Sequence, residues 1–264
     1  MAIVFFVLGL FVSCMGSHYY GPYYDNINPN SATFKADLGQ LLSDHKSLSY
    51  KEIWGEFSVL DTHKQLEPGC TGPDNTTVGD VYSAKCWLPK EKCGNYKREG
   101  DCFNREHVWP KSWFGGFSSG QGAQTDLFEL YPADGYVNSR RGNYPLGTVD
   151  NPTYTSTSDA KLGPCTTPGF SDTCFEVADI WKGDFARSYF YLSVTYAGKW
   201  KCCDVAGVNK AEIKPWLEDI LRQWHKNDPP SEHERIVNDL VEKIQGNRSP
   251  FVDHPEWVDL IKDF

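Results

Sequence analysis

Residues 104–113 read Asn-Arg-Glu-His-Val-Trp-Pro-Lys-Ser-Trp and place an acid, Glu106, directly beside an imidazole, His107. A neutral imidazole can take a proton from water near pH 7, and a carboxylate oxygen is a ligand that hard divalent cations prefer. These are two of the groups that hydrolysis of a phosphodiester bond requires. On a strand, however, the two side chains would point to opposite faces. Taken alone, the pair favours an exposed acid beside a structural histidine.

Residues 126–145 read Asp-Leu-Phe-Glu-Leu-Tyr-Pro-Ala-Asp-Gly-Tyr-Val-Asn-Ser-Arg-Arg-Gly-Asn-Tyr-Pro and supply a second set of polar groups. The amide oxygen of Asn138 can complete an oxygen-ligand cation site, and the forked donors of Arg140 and Arg141 suit phosphate oxygens. The alternative is that Asn138 caps or turns a helix while the arginines are solvated. Taken alone, this stretch also favours the structural alternative.

Four ordered motifs resemble the endonuclease I family of secreted and periplasmic nucleases. Besides the two stretches above, residues 175–189 contain Lys-Gly-Asp-x-Ala-Arg at positions 182–187, and residues 245–255 read Gln-Gly-Asn-Arg-Ser-Pro-Phe-Val-Asp-His-Pro. The similarity runs from about Ser31 to the C-terminus. Four motifs in order are far more specific than any one of them, so the resemblance decides between the alternatives.

The resemblance implies an α+β fold, a mainly helical single domain around a ββα-metal (His-Me finger) motif. In this family the histidine of the Glu-His pair is the general base, a role that falls on His107. The acid before it and the asparagine hold one divalent cation, which assigns that role to Glu106 and Asn138. Mg²⁺ is the expected ion, with Ca²⁺ or Mn²⁺ as alternatives. A hairpin presents the base and a helix the asparagine, and hydrolysis of DNA, often also RNA, leaves 5′-phosphates with little sequence preference.

Two departures from the family pattern concern the surroundings of the expected base. Family members commonly have a histidine where this chain has Phe128, so any support from that side chain is absent. Bacterial relatives carry an arginine that stabilises the cleaved phosphate after the Glu-His pair, whereas residues 114–125 contain no basic residue. That role is expected to fall on Arg140, Arg141 or Arg187, or to be lost at some cost in rate.

Cationic residues near the motifs are candidates for contact with the nucleic-acid backbone. Arg105 and Lys111 flank the Glu-His pair, and Arg187 ends the Lys-Gly-Asp-x-Ala-Arg motif. The alternatives are solvation for Arg105 and Lys111 and a structural ion pair for Arg187. Trp109 and Trp113 can stack on bases, but buried support of the site is their expected use.

The N-terminal segment indicates export. Residues 2–12 form an apolar run that is too short to span a bilayer as a helix. This predicts a signal peptide over residues 1–17 and one domain over residues 18–264. No later stretch of the sequence is long and apolar enough for a transmembrane helix. The chain is therefore expected to be secreted or to enter a secretory lumen. In such a compartment Asn75 is the better candidate for glycosylation and Asn247 the second.

The cysteine content agrees with export. Nine cysteines fall to eight when Cys14 is removed with the signal peptide, and an even number predicts disulfides. No Cys-x-x-Cys pair occurs, which argues against the rival interpretation as a zinc site. The expected local pairs, each closing a short loop that contains glycine, are Cys93–Cys102 and Cys165–Cys174. The adjacent Cys202 and Cys203 are expected to reach different partners.

Helix signals lie on both sides of this central region. Capping boxes begin at Ser49 and Ser231, and Gly246 is the stop signal of the second of these helices. Residues 175–196 read as one long buried helix. Another helical face, with Pro215 in its first turn, consists of Ile213, Trp216, Leu217, Ile220, Leu221 and Trp224. The inward face of the helix after Ser231 is expected to be Ile236, Val237, Leu240, Val241 and Ile244.

The charge distribution bears on the expected partners. A net charge of -9, from 26 basic and 35 acidic residues, argues at first sight against a nucleic-acid binder. Residues 88–145, however, carry eight basic and seven acidic side chains, so the acidity lies mainly in the flanking helices. Attraction to phosphate is therefore expected to be local and dependent on metal and salt. The expected partner is DNA or RNA, without a membrane or an obligate protein partner, and the chain is expected to be monomeric.

Three functional classes are compatible with these features. The resemblance favours a secreted, metal-dependent endonuclease. The missing loop arginine leaves open a nuclease-like module that binds nucleic acid without cleaving it. The acidic charge and the aromatic content would also suit a disulfide-rich adhesion or carbohydrate-binding domain.

Overall fold

The computed structural model describes residues 20–60, 77–114, 122–200 and 202–264. The predicted signal peptide, Asn75 and most of the loop over residues 114–125 lie outside these ranges. Within the described ranges, no helix has the length and apolar character that crossing a lipid bilayer requires.

A two-stranded hairpin followed directly by a helix carries the Glu-His pair. Strands β1 (Phe103–His107) and β2 (Leu130–Asp134) are antiparallel and pair along their whole length. Helix α3 (Gly135–Arg141) begins at the next residue. The Asp134 carboxylate caps α3, because it accepts hydrogen bonds from two backbone amides of the first turn of this helix, at 2.9 and 3.0 Å. The cap sets the direction in which α3 leaves the hairpin.

Helix α4 (Lys182–Thr195) lies at the centre of the core, since every residue after its first is buried. Helix α1 (Phe34–Ser43) crosses it closely, because a Cβ on Gly39 would lie 2.7 Å from the carbonyl oxygen of Val194. Helix α5 (Pro215–Asn227) packs along another side of α4. The aromatic residues of these helices therefore form the core.

The expected start of the buried helix at residue 175 is wrong. Residues Thr173–Glu176 form strand β5, which pairs with strand β4 (Lys161–Pro164). The Phe175 amide also donates to the carbonyl of Pro145 at 2.8 Å. Because the backbone of this segment is engaged by two other segments, the helix begins only at Lys182.

Both predicted capping boxes are confirmed. Before helix α2 (Ile53–Leu60), the Ser49 amide donates to the Glu52 carboxylate at 2.7 Å, and the Glu52 amide donates to the Ser49 hydroxyl at 3.3 Å. Helix α6 (Glu232–Gln245) has the same reciprocal arrangement and ends at Gly246 in the left-handed region, with φ 93°. The remaining described elements are β3 (Tyr154–Thr155), β6 (Val208–Asn209), β7 (Glu212–Ile213) and α7 (Pro250–Asp253).

Two helical faces differ from the prediction. Ile213 lies in β7 and pairs with Val208 instead of extending the face of α5. On α6, Val241 is buried and Val237, Leu240 and Ile244 pack half-buried against the core, as predicted. Polar residues share this side of the helix, since the other buried positions are His233, Glu234, Asn238 and Gln245. Asn238 and Gln245 face inward because they bind buried backbone: the Gln245 amide oxygen, for example, accepts a hydrogen bond from the Leu127 amide at 3.1 Å. Glu234 faces inward because its carboxylate binds the Arg187 guanidinium.

Asn247, the second glycosylation candidate, is fully buried. Its amide nitrogen donates to the Leu42 carbonyl at 2.9 Å and to the Tyr191 hydroxyl at 2.6 Å. A glycan needs an exposed amide, so this expectation is wrong for the folded chain.

The described disulfides include both predicted local pairs. Cys93 bonds Cys102, and Cys165 bonds Cys174. The expectation that Cys202 and Cys203 reach different partners is wrong, because they bond each other. As chain neighbours, they need no other segment to bring their sulfur atoms together. Cys86 is also disulfide-bonded.

Candidate active site

The hairpin presents Glu106 and His107 on opposite faces of β1, as the alternation of a regular strand requires. Arg105 and His107 point to one face, where the Tyr50 ring covers both. Asn104 and Glu106 point to the other face, where α3 lies. Glu106 and His107 therefore leave β1 in opposite directions, each with its own set of partners.

His107 is held by a backbone carbonyl. Its Nε2 lies 3.1 Å from the carbonyl oxygen of Gln124, and its side chain is 7% exposed. A carbonyl oxygen only accepts, so Nε2 carries the proton and the lone pair lies on Nδ1. Burial lowers the pKa of His107 to about 3, so the imidazole is neutral at pH 7. A neutral ring with one fixed tautomer is the form in which a histidine takes up a proton.

Two aromatic rings complete the surroundings of this histidine. Tyr50 stacks on His107, with 5.9 Å between ring centroids and 26° between planes, and Phe114 packs edge-on at 5.9 Å. The Arg105 guanidinium lies 3.4 Å from the centre of the Tyr50 ring and donates to the Tyr50 carbonyl. Arg105 thus fixes Tyr50 against the hairpin.

Glu106 is 1% exposed and is held through one oxygen. Its Oε1 accepts hydrogen bonds from the Tyr82 hydroxyl at 2.8 Å and from the Arg141 guanidinium. Burial raises the pKa of Glu106, and the guanidinium in direct contact opposes that rise. We assign the charged form, because Arg141 compensates the carboxylate at hydrogen-bond distance. Among the described residues no donor reaches Oε2, so this oxygen is available to a ligand.

Asn138 also has an available oxygen. Its amide nitrogen donates to the Asn104 side-chain oxygen at 2.7 Å and to the Arg105 carbonyl at 3.4 Å. These bonds fix the side chain, and no donor within the described ranges reaches its Oδ1. Asn138 and Arg141 are three residues apart on α3 and so share one face of the helix. Asn104 and Glu106 are two residues apart on β1 and so share one face of the strand. The free oxygens of Glu106 and Asn138 therefore belong to the same face of the hairpin.

This pair of oxygens suits a hard divalent cation that keeps several water ligands, which is how Mg²⁺ is commonly bound. Among the described residues, no cluster of three or more His, Cys, Asp or Glu side chains could hold a metal ion. Any cation here would thus rely on one carboxylate and one amide, the donor set of Glu106 and Asn138.

The two arginines of α3 have different surroundings. Arg141 is 1% exposed and donates to Glu106 and to the carbonyls of His107 and Val108. This engagement differs from the expected phosphate contact, because its terminal nitrogens already bind protein oxygens. Arg140 is exposed and donates to the Tyr136 hydroxyl at 2.6 Å. Successive residues of an α-helix are rotated by roughly 100° about its axis, so Arg140, two positions after Asn138, points to the opposite side of α3.

Arg187 has the structural role that was the alternative to nucleic-acid contact. It is buried in α4 and makes two hydrogen bonds to the Glu234 carboxylate and one to the Asp228 carbonyl. Lys111, by contrast, is exposed, with its ammonium 5.3 Å from the centre of the Tyr50 ring. Of these two cations, Lys111 is therefore the one beside His107 and open to solvent.

The aromatic residues of the motifs support the site from within. Trp109 and Trp113 are buried, and Trp109 stacks on Tyr189 at 4.9 Å. Phe128, at the position of the family histidine, packs against the Tyr191 ring at 4.6 Å. Their burial leaves these rings unavailable for stacking on bases.

Sequence reasoning missed four residues that contact the expected base or its neighbouring acid, namely Tyr50, Tyr82, Phe114 and Gln124. Tyr82 lies in a turn-rich stretch that carries no motif, 24 positions before Glu106. Gln124 acts through its carbonyl, which any residue possesses, so no pattern could indicate it. Tyr50 follows the first residue of a capping box, and the only available signal was its aromatic character.

Comparisons with known proteins agree with the motifs. The family model for endonuclease I matches residues 30–256. The extracellular ribonuclease of Bacillus subtilis (strain 168) is 35% identical over 237 residues, which cover 87% of this chain and 74% of the relative. The extracellular ribonuclease of Bacillus amyloliquefaciens is 33% identical over 250 residues, covering 90% and 77%. Endonuclease-1 of Buchnera aphidicola subsp. Baizongia pistaciae (strain Bp) is 32% identical over 133 residues, covering 50% and 47%. Because the family model spans most of its length, this chain belongs to the endonuclease I family.

Proposed function

We propose that this chain is a secreted, metal-dependent endonuclease that hydrolyses phosphodiester bonds of RNA and DNA with little sequence preference. The observation that carries the proposal is the state of His107, a neutral imidazole whose Nε2–H is bound to a carbonyl and whose Nδ1 keeps its lone pair. The names of the two Bacillus relatives support RNA as a substrate. The disulfides support export, since such bonds persist in oxidising compartments.

In the proposed mechanism, Nδ1 of His107 takes a proton from the attacking water while the Gln124 carbonyl keeps the ring oriented. Glu106 and Asn138 would hold one divalent cation, with Mg²⁺ as the expected ion, through their available oxygens Oε2 and Oδ1. When bound, the cation supplies neutralisation of charge on the phosphate and on the leaving oxygen. Tyr82 and Arg141 keep the Glu106 carboxylate in place through its other oxygen. The water oxygen bonds to phosphorus as the P–O3′ bond breaks, so the 3′ oxygen is the leaving oxygen and the products carry 5′-phosphate ends.

Lys111 and Arg140 are the exposed cations that we propose to contact the substrate backbone. Lys111 lies beside the ring that covers His107, so it is the better candidate for a phosphate next to the scissile bond. Arg140 lies on the far side of α3 and suits a phosphate further along the strand. Both contacts would weaken with salt, because they neutralise phosphate charge.

The test is digestion of RNA and plasmid DNA by the purified, disulfide-bonded chain with Mg²⁺, Mn²⁺ or Ca²⁺. We expect cleavage of both substrates, its loss on chelation, and its loss in His107→Ala. His254→Ala is the matched control, since His254 stacks on Trp257 at 4.1 Å, far along the chain from the motif. A wild-type protein that binds nucleic acid but cuts none would instead identify a binding module.

A further inference from the structure

A buried polar network surrounds Asp126, two residues after the carbonyl that holds His107. Oδ2 of Asp126 accepts hydrogen bonds from the hydroxyls of Tyr191 and Tyr196, at 2.9 and 2.8 Å. Its Oδ1 accepts from the Phe128 amide and from the Gln245 side chain, both at 3.0 Å. Asp126 is 2% exposed. Four donors on one buried carboxylate fix its position from several directions.

The three side-chain donors come from parts of the chain outside the hairpin. Tyr191 lies in α4, Tyr196 is the residue directly after that helix, and Gln245 is the last residue of α6. Gln245 also accepts from the Leu127 amide at 3.1 Å, so one side-chain amide binds both the Asp126 carboxylate and the next peptide unit. The segment from Gln124 to Leu127 is thereby attached to the helical core.

A second connection runs through aromatic rings on the other side of the same histidine. Tyr196 stacks on Trp200, Trp200 packs on Phe114, and Phe114 packs edge-on against His107. The centroid distances are 6.3, 5.6 and 5.9 Å respectively. The residue that donates to Asp126 therefore also contacts the rings beside the imidazole.

The geometry points to Asp126 as a positioning residue: through the Gln124 carbonyl, its network sets the orientation and the Nε2–H tautomer of His107. The Gln124 carbonyl is a main-chain group, so its direction depends on how the backbone of residues 124–126 is held. If the carbonyl turns away, nothing among the described residues selects Nε2 over Nδ1 as the protonated atom. The inference rests on the proposed function only in taking that tautomer to be the reactive one.

The test compares Asp126→Asn and the double variant Tyr191→Phe/Tyr196→Phe with wild type. Tyr24→Phe is the matched control, because it removes a 2.8 Å bond from a buried tyrosine to a buried carboxylate, Asp253, outside this network. The first readout is the ¹⁵N spectrum of the histidines with Mg²⁺ present, in which His107→Ala identifies the His107 signals. The second is kcat and KM for RNA.

We expect Nε2–H in wild type and in Tyr24→Phe, and a substantial Nδ1–H population in both network variants. Their kcat should fall with KM unchanged, by roughly 100-fold if the ring moves by about 1 Å. An unchanged tautomer in a folded network variant overturns the inference, whatever its activity. If Asp126→Asn fails to fold, as judged by near-ultraviolet circular dichroism, the volume-conserving tyrosine variant decides. A wild type without cleavage would refute the proposed function, while the tautomer still tests the positioning.

Discussion

The Tyr82→Phe substitution tests how the site holds its expected metal ligand. The change removes a 2.8 Å hydrogen bond to Oε1 of Glu106 without changing the volume of a side chain that is fully buried. A hydrogen bond to a charged group contributes about 1.5–3 kcal/mol to stability. Oε1 keeps its bond from Arg141, so the acceptor is not left without a partner. We therefore expect a loss near the lower end of that range.

The functional consequence should be larger than the loss of stability suggests. Glu106 is held by two donors on one side, and removing one lets the carboxylate rotate about its remaining contact. Partners of metal ligands typically change metal affinity or activity by about 10–100-fold when mutated. We expect the Mg²⁺ concentration for half-maximal cleavage of RNA to rise by about 10-fold. Urea unfolding and calorimetric titration with Mg²⁺ measure the two effects separately.

Tyr131→Phe is the matched control for this substitution. Tyr131 lies opposite Glu106 on β2 and shares a 3.1 Å hydrogen bond with the Ser188 hydroxyl, which is neutral. We expect a loss of about 0.5–1.5 kcal/mol in stability and no change in the Mg²⁺ dependence. The reasoning is refuted if Tyr82→Phe loses stability while its Mg²⁺ affinity stays that of wild type.

Three further predictions concern the scaffold. Gly39→Ala should destabilise the chain by about 1–3 kcal/mol in urea unfolding, because its Cβ would lie 2.7 Å from the Val194 carbonyl oxygen. Gly55→Ala is the control: a Cβ at this position in α2 meets open space, so the change should be neutral or stabilising by up to about 1 kcal/mol. Equal losses of stability in the two variants would contradict the close crossing of α1 and α4. Burial raises the pKa of Asp80 to about 6, above its unfolded value, so its contribution to stability is complete below about pH 4 and is lost as pH rises through about 6. The stability difference between wild type and Asp80→Asn should therefore shift against wild type by about 2–3 kcal/mol from pH 4 to 7, and a constant difference would rule this out. Replacing Cys93 and Cys102 by serine should lower the free energy of unfolding by about 2–3 kcal/mol. It should lower activity as well, because the Cys93 sulfur packs against Gly135 at the start of α3. Full activity in a destabilised variant would show that α3 holds Asn138 without the disulfide.

Local features of the fold were accessible from the sequence. The capping boxes at Ser49 and Ser231 and the stop at Gly246 depend on residues within one or two turns of each other. The Cys93–Cys102 and Cys165–Cys174 disulfides each close a loop with a sequence separation of 9. In such cases the interacting groups are neighbours in the chain, so a pattern can indicate the contact directly.

Errors arose where distant segments compete for the same residues. Phe175 fits the helical spacing of the apolar residues that follow it, but its backbone pairs with strand β4. The inward face of α6 is partly polar because Asn238 and Gln245 bind buried backbone that the helix sequence does not contain. Arg187 lies in a motif, yet a carboxylate 47 positions away engages it. Hydrophobic periodicity alone describes none of these contacts.

By itself, the sequence determined which residues are the candidates for the chemistry: an acid and an imidazole side by side, and an asparagine in a second motif. Their roles remain proposals, and only the tertiary structure decided how each is held. Glu106 and His107 lie on opposite faces of the strand. Tyr82 and Arg141 bind one oxygen of the Glu106 carboxylate, and the Gln124 carbonyl selects which nitrogen of His107 bears the proton. The physical reason is that orientation, protonation and burial depend on partners brought together by folding, whereas a motif records only which side chains are present.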